Sequence, residues 1–116
     1  KQYEGVQVNF CLNYGGRAEI LRAAQRFAKD CLEGKCRPED LTEEHFSDLM
    51  YSAGVPDPEL VIRPGGELRT SNFLLWQSAY AEYYFTDVLW PDFGTKELDA
   101  AIDAYRHRER RFGGAK

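Results

Sequence analysis

The feature that most narrows the possible folds is the run Leu60-Val61-Ile62, which is apolar without alternation and is bounded by Pro58 upstream and by Arg63-Pro64-Gly65-Gly66 downstream. A strand apolar on both sides must be covered on both sides, as in a parallel sheet flanked by helices. The surrounding patterns fit that frame. Val6, Val8, Phe10 and Leu12 alternate with Gln7, Asn9 and Cys11, the period of an earlier strand. The turn Asn13-Tyr14-Gly15-Gly16-Arg17 leads into apolar residues at helical spacing, Ile20, Leu21, Ala24, Phe27, Ala28, Cys31 and Leu32, which Gly34 should end. A shorter helix is expected from Asp40 or Thr42, with Phe46, Leu49 and Met50 on its apolar face. After the strand at 60–63, Thr70, Ser71 or Asn72 should cap a helix through Phe73, Leu74, Leu75 and Trp76. The aromatics of 79–85 favour a third strand, and Thr95 should cap a last helix carrying Leu98, Ala101, Ile102 and Tyr105. The expectation is an α/β fold with a largely parallel sheet and flanking helices. Three strands are few for this architecture, which points to further strands upstream of Lys1.

At 116 residues the chain is sized for one domain. Its net charge of −4 and pI near 5.2 exclude a general nucleic-acid binder, which needs a basic surface to displace counterions. No apolar run approaches the roughly 20 residues that span a bilayer, so the reading is a soluble, cytoplasmic protein. Cys11, Cys31 and Cys36 are odd in number and do not match a zinc ligand set, so all are read as reduced.

Ligands of parallel sheets bind beyond the carboxyl ends of the strands. There the sequence places Arg63, two glycines, Arg69 and the hydroxyl pair Thr70-Ser71. Glycines let a backbone approach a phosphate, a helix N-terminus presents unpaired N–H groups, and guanidinium forks match phosphate oxygens. The same arginines could equally be surface residues, paired for instance with Glu67. Glu82, among aromatics near the end of the third strand, needs a cation or a donor. Metal ligand and salt-bridge partner both satisfy that need.

The segment Arg63-Pro-Gly-Gly-Glu-Leu-Arg-Thr-Ser-Asn-Phe-Leu-Leu-Trp-Gln77 resembles the hallmark of the cis-prenyltransferases, and of their undecaprenyl diphosphate synthase type in particular. Asn13-Tyr-Gly-Gly-Arg17, the stretch 79–86 with Trp90-Pro-Asp-Phe93, and Arg110-Arg-Phe-Gly-Gly114 are similar to the same family in the same order. Pro64 and Gly65 depart slightly from the usual spelling. The resemblance implies that Arg63, Arg69 and Ser71, with Thr70, hold the diphosphate of isopentenyl diphosphate, and that Glu82 is a Mg2+ ligand. It also implies a homodimer whose partner is approached by the 110–114 segment, and peripheral membrane contact through a lipid product. The reaction implied is condensation of isopentenyl diphosphate onto an allylic diphosphate such as farnesyl diphosphate, giving a cis-polyprenyl diphosphate of the kind that carries cell-wall precursors. The family's opening Asp-Gly-Asn segment, which holds the allylic diphosphate, has no match here. The chain is therefore expected to be the C-terminal half of a catalytic domain, inactive alone. The alternative is a non-catalytic partner subunit that donates its terminal Arg-Phe-Gly-Gly segment.

Overall fold

A computed structural model of the chain describes residues 5–108. Helix α1 (Gly16–Leu32) is followed by a 3-10 turn (Pro38–Asp40) and one turn of helix, α2 (Glu43–Ser47). Strands β1 (Leu60–Arg63) and β2 (Glu82–Phe85), a second 3-10 turn (Trp90–Asp92) and helix α3 (Thr95–Arg106) complete the order. The architecture is the expected α/β one, with β1 and β2 paired in parallel, Leu60 opposite Glu82 and Arg63 opposite Phe85.

Local signals account for the element ends. Gly34, at φ +80°, reverses the chain after α1, and the Lys35 N–H reaches back to the Asp30 carbonyl at 2.9 Å. Thr42 caps α2, its hydroxyl accepting the His45 N–H at 3.0 Å. Helix α3 begins at Thr95, but its cap is Gly94, whose N–H donates to the Glu97 carboxylate at 2.9 Å. That bond, ahead of the other backbone bond Glu97 accepts, holds the Glu97 carboxyl below its ordinary range.

Two expected elements do not form. Residues 6–12 form no regular element, the Gln7 amide donates to Asn9 Oδ1 at 3.3 Å, and no strand among the described residues pairs with them. Val6, Phe10 and Leu12 stay 83–90% exposed. Alternation selects a face for a strand but supplies no ladder partner, and the described residues form a sheet of two strands. The helix expected through Phe73–Trp76 is replaced by irregular turns, because Ser71, Asn72 and Leu74 take positive φ values of 51°, 67° and 48°. Asn72 is held there by bonds to the start of α1, and this tertiary contact overrides local periodicity.

The core is small. Ala23 and Phe27 of α1 pack with Leu49 and Met50, and Ile20, Phe46, Trp76, Cys31 and Cys36 close around them. The α2 helix ends before Leu49, so these two side chains are buried from a turn and not from the helix face expected of them. Trp76 meets Phe46 edge-on at 5.0 Å and donates its indole N–H to Ser47 Oγ at 2.9 Å. The radius of gyration is 17.2 Å, against about 13 Å for a compact chain of this length, so much apolar surface, Leu21, Leu32 and Trp90 included, stays open. No helix of the described residues is long and apolar enough to cross a membrane. With so little core, each member matters: Phe27→Ala should lower stability by about 3–5 kcal/mol in urea denaturation, and an unchanged midpoint would show that this cluster does not hold the fold.

Candidate functional site

Strand β1 delivers Arg63 at its carboxyl end, and the loop beyond it is tied to the chain leaving β2. The Thr86 N–H donates to the Arg63 carbonyl (3.1 Å), the Gly65 N–H to Val88 (2.8 Å) and the Gly66 N–H to Thr86 (2.9 Å). Gly65 and Gly66 make the turn at φ +87° and +79°, a region costly for other residues. The Arg63 guanidinium folds over the loop and donates to the Arg69 carbonyl at 3.0 Å, which sets the path of the chain into Thr70 and Ser71.

Arg63, Arg69, Thr70 and Ser71 thereby line one cleft of about 290 Å³, together with Val61, Ile62, Phe73 and Tyr83. Two guanidiniums and two hydroxyls belong to the same small space as an apolar wall, a composition suited to a short hydrocarbon bearing an anionic head. Arg69 lies 3.5 Å from Glu67, with side chains 75% and 50% exposed. Such an exposed pair contributes little, so exchanging Glu67 for a phosphate oxygen is cheap. The helix N-terminus expected at Thr70–Asn72 is not there to assist, since the positive φ values break the helix before it starts. Attraction for an anion rests on the side chains.

Glu82 is elsewhere. It opens β2 opposite Leu60, while Arg63 ends β1 opposite Phe85. Because the strands are parallel, Glu82 lies at the amino end of the sheet, about 10 Å along the strand direction from the arginine loop, and not at the carboxyl end where the sequence had put it. Arg108 Nη1 sits 3.2 Å from its Oε1 and 2.7 Å from the Tyr83 carbonyl. Of the two partners open to Glu82, the structure supplies the salt bridge. No group of three His, Cys, Asp or Glu side chains able to hold a metal exists among the described residues. A carboxylate paired with a guanidinium would need release from it and further hard oxygen donors before it could hold magnesium. The Arg110–Gly114 segment lies outside the described residues.

Residues that sequence reasoning passed over connect the site to α1. The Asn72 carbonyl accepts the Gly16 N–H at 2.7 Å and its Oδ1 accepts the Arg17 N–H at 2.9 Å, so the loop caps the helix. A Cβ on Gly16 would lie 2.9 Å from Leu75 Cγ and 3.0 Å from the Asn72 carbonyl, so only glycine permits this approach. One turn further on, the Glu19 carboxylate is 2% exposed. It accepts from the Tyr14 hydroxyl, from the Tyr51 N–H at 2.8 Å and from Gln77 Nε2 at 3.0 Å. Glu19 falls in register with Ala23 and Phe27 on the buried stripe of α1, and that acid among apolar positions was the signal available in the sequence.

Burial first, then the hydrogen bond and charge of Glu19, raise the Tyr14 phenol well above its ordinary value of 10.0. A group whose folded pKa is raised contributes stability that is complete below its unfolded pKa and is lost as pH climbs towards the folded value. Through Tyr14, stability should therefore be independent of pH near neutrality, where its contribution is complete, and fall above about pH 10, and Tyr14→Phe should flatten that alkaline decline. An equally steep decline in the variant, followed by denaturation across pH 8–11, would remove Tyr14 as the cause.

The family model described as "Putative undecaprenyl diphosphate synthase" matches residues 1–113. The chain is similar to the isoprenyl transferase of Heliobacterium mobile, with 56% identity over 109 residues, 94% of this chain and 42% of that protein. It is also similar to the isoprenyl transferase of Fusobacterium nucleatum, with 56% identity over 116 residues, all of this chain and 47% of the relative. Among solved structures, lavandulyl diphosphate synthase from Lavandula x intermedia, in complex with dimethylallyl diphosphate, superposes with a TM-score of 0.83 at 44% identity, covering 87% of this chain and 44% of that one. The chain thus spans less than half the length of these relatives. With its hallmark loop, its parallel α/β frame and a family match along nearly the whole sequence, the chain belongs to the undecaprenyl diphosphate synthase family of prenyltransferases.

Proposed function

We propose that the chain is the C-terminal half of a prenyltransferase catalytic domain and carries its isopentenyl diphosphate site. The observation that supports this reading best is the shared cleft of Arg63, Arg69, Thr70 and Ser71 with its apolar wall. In the intact enzyme the C4 carbon of isopentenyl diphosphate forms a bond to C1 of an allylic diphosphate such as farnesyl diphosphate. The diphosphate group of the allylic substrate leaves C1 with the bonding pair, and a proton is lost from C2 of the added unit to leave a cis double bond. Arg63 and Arg69 hold the diphosphate of the incoming unit, Thr70 and Ser71 donate to it, and Val61, Ile62, Phe73 and Tyr83 seat its hydrocarbon so that the alkene is aligned for attack. The product in this reading is the long polyprenyl diphosphate that becomes the undecaprenyl carrier.

Residues beyond this chain supply the allylic site, so the 116 residues alone turn over no substrate. A homodimer and peripheral contact with the membrane through the lipid product belong to the same reading. Mg2+, with Glu82 as a ligand, belongs to it through family likeness alone. The ion would need Arg108 to release Glu82 and further donors from outside residues 5–108.

A charge-assisted hydrogen bond is worth about 1.5–3 kcal/mol, so Arg69→Ala in the full-length enzyme should raise the KM for isopentenyl diphosphate about 10- to 100-fold and leave that for farnesyl diphosphate unchanged. Arg63→Ala should do at least as much, because it also releases the Arg69 carbonyl. Unaltered kinetics in both variants would sink the diphosphate assignment.

Glu82→Gln keeps the side-chain shape and removes its charge. As a magnesium ligand Glu82 predicts a higher Mg2+ requirement with a preserved melting temperature, read from activity across a metal titration. A lowered melting temperature with an unshifted titration would assign Glu82 to the Arg108 pair alone.

A further inference from the structure

The reversal at the end of α1 brings two thiols together. Cys31 lies in the last turn of the helix, Gly34 turns the chain at φ +80°, and the Lys35 N–H bond to the Asp30 carbonyl folds the next residue back along the helix. As a result Cys36 Sγ sits 3.6 Å from Cys31 Sγ, and both side chains are half-buried against the Phe27–Met50 cluster. The four residues between them give no reason to expect contact; the Gly34 turn supplies it.

From this geometry we infer that Cys31 and Cys36 form a reversible thiol–disulfide site that is oxidised by small-molecule disulfides of the glutathione type. Closing the present separation to a bonded one requires the sulfurs to approach by about 1.6 Å, a movement the exposed turn at 33–35 can absorb. The exchange balances. One protein sulfur attacks the small disulfide, forming a mixed disulfide and releasing the first small thiol. The other sulfur then attacks the protein sulfur of that mixed disulfide, forming the Cys31–Cys36 bond and releasing the second. Two electrons pass from the protein to the small disulfide, and the two S–H protons end on the released thiols. Burial, then the hydrogen bond and charge of Cys31, push the Cys36 thiol up to about 11, so Cys36 rests protonated and Cys31 opens the exchange.

Trypsin cuts after Lys29 and Lys35, which puts the two cysteines on different peptides and makes the bond visible in a peptide map. The full-length protein is equilibrated with mixtures of oxidised and reduced glutathione, quenched by alkylation and mapped by mass spectrometry, once folded and once in urea. The expected result is a linked Cys31–Cys36 peptide pair that reverts under reduced glutathione, with an equilibrium constant in the folded protein about tenfold or more above that in urea. Cys36→Ser should trap a single glutathione on Cys31. Failure to find the linked pair in the folded protein, or an equilibrium constant no greater than in urea, would overturn the inference.

Discussion

A carboxylate withdrawn from water must be met by donors, and Glu19 is met by three parts of the chain at once. The Tyr14 hydroxyl comes from the turn before α1, the Tyr51 N–H from the turn that carries Leu49 and Met50, and the Gln77 amide from the segment that follows the arginine loop. Without these bonds the desolvated charge would be untenable, so the three segments are positioned relative to one another by the need to satisfy a single side chain. The arrangement is asymmetric: Gln77 directs its amide N–H groups at Glu19 and Ser52, and its Oε1 is left without a partner among the described residues. A buried polar group is tolerated there because turning the amide round would set its oxygen against the carboxylate.

The cleft inherits its shape from this centre. Gln77 anchors one end of the 70–77 segment, and Asn72 anchors the other by capping α1 with both its carbonyl and its side chain. At and around these fixed points the backbone takes positive φ at Ser71, Asn72 and Leu74, which no helix can accommodate. The irregular path turns Thr70 and Ser71 towards the space that Arg63 and Arg69 share. Close approach at Gly15-Gly16 is what allows the loop to reach the helix start, so the glycine turn at one end of the chain and the arginine loop far along it are two halves of one contact.

The same structure keeps a large apolar surface open. A cluster centred on Phe27 and Met50 and a two-stranded sheet leave Val6, Phe10, Leu12, Leu32 and Trp90 in solvent, and the molecule is more extended than a compact chain of its size. The hydrogen-bonded centre at Glu19 therefore carries an unusual share of the positional order, because hydrophobic burial, ordinarily the dominant favourable contribution, is limited to few side chains.

The sequence by itself determined the body of α1 and α3, both strands and the glycine turn that follows the first of them, because each is written in residues that act on their own backbone. The apolar run at 60–62, the helical spacing of Ile20, Phe27 and Cys31, the cap at Thr42 and the reversal at Gly34 all operate within a few residues. It also singled out Arg63, Arg69, Thr70 and Ser71 as candidate anion donors by residue type, and the structure gathers these four in one cleft. Tertiary structure alone decided which segments meet. It left residues 6–12 without a ladder partner among the described residues, placed Glu82 at the amino end of the sheet beside Arg108, broke the helix after Thr70 and gathered donors around Glu19. The physical reason is range. Dihedral preference and facial periodicity are local, whereas a strand needs another strand's carbonyls and a buried carboxylate needs donors from residues up to 58 positions away, and such partners are specified only when the whole chain has closed on itself.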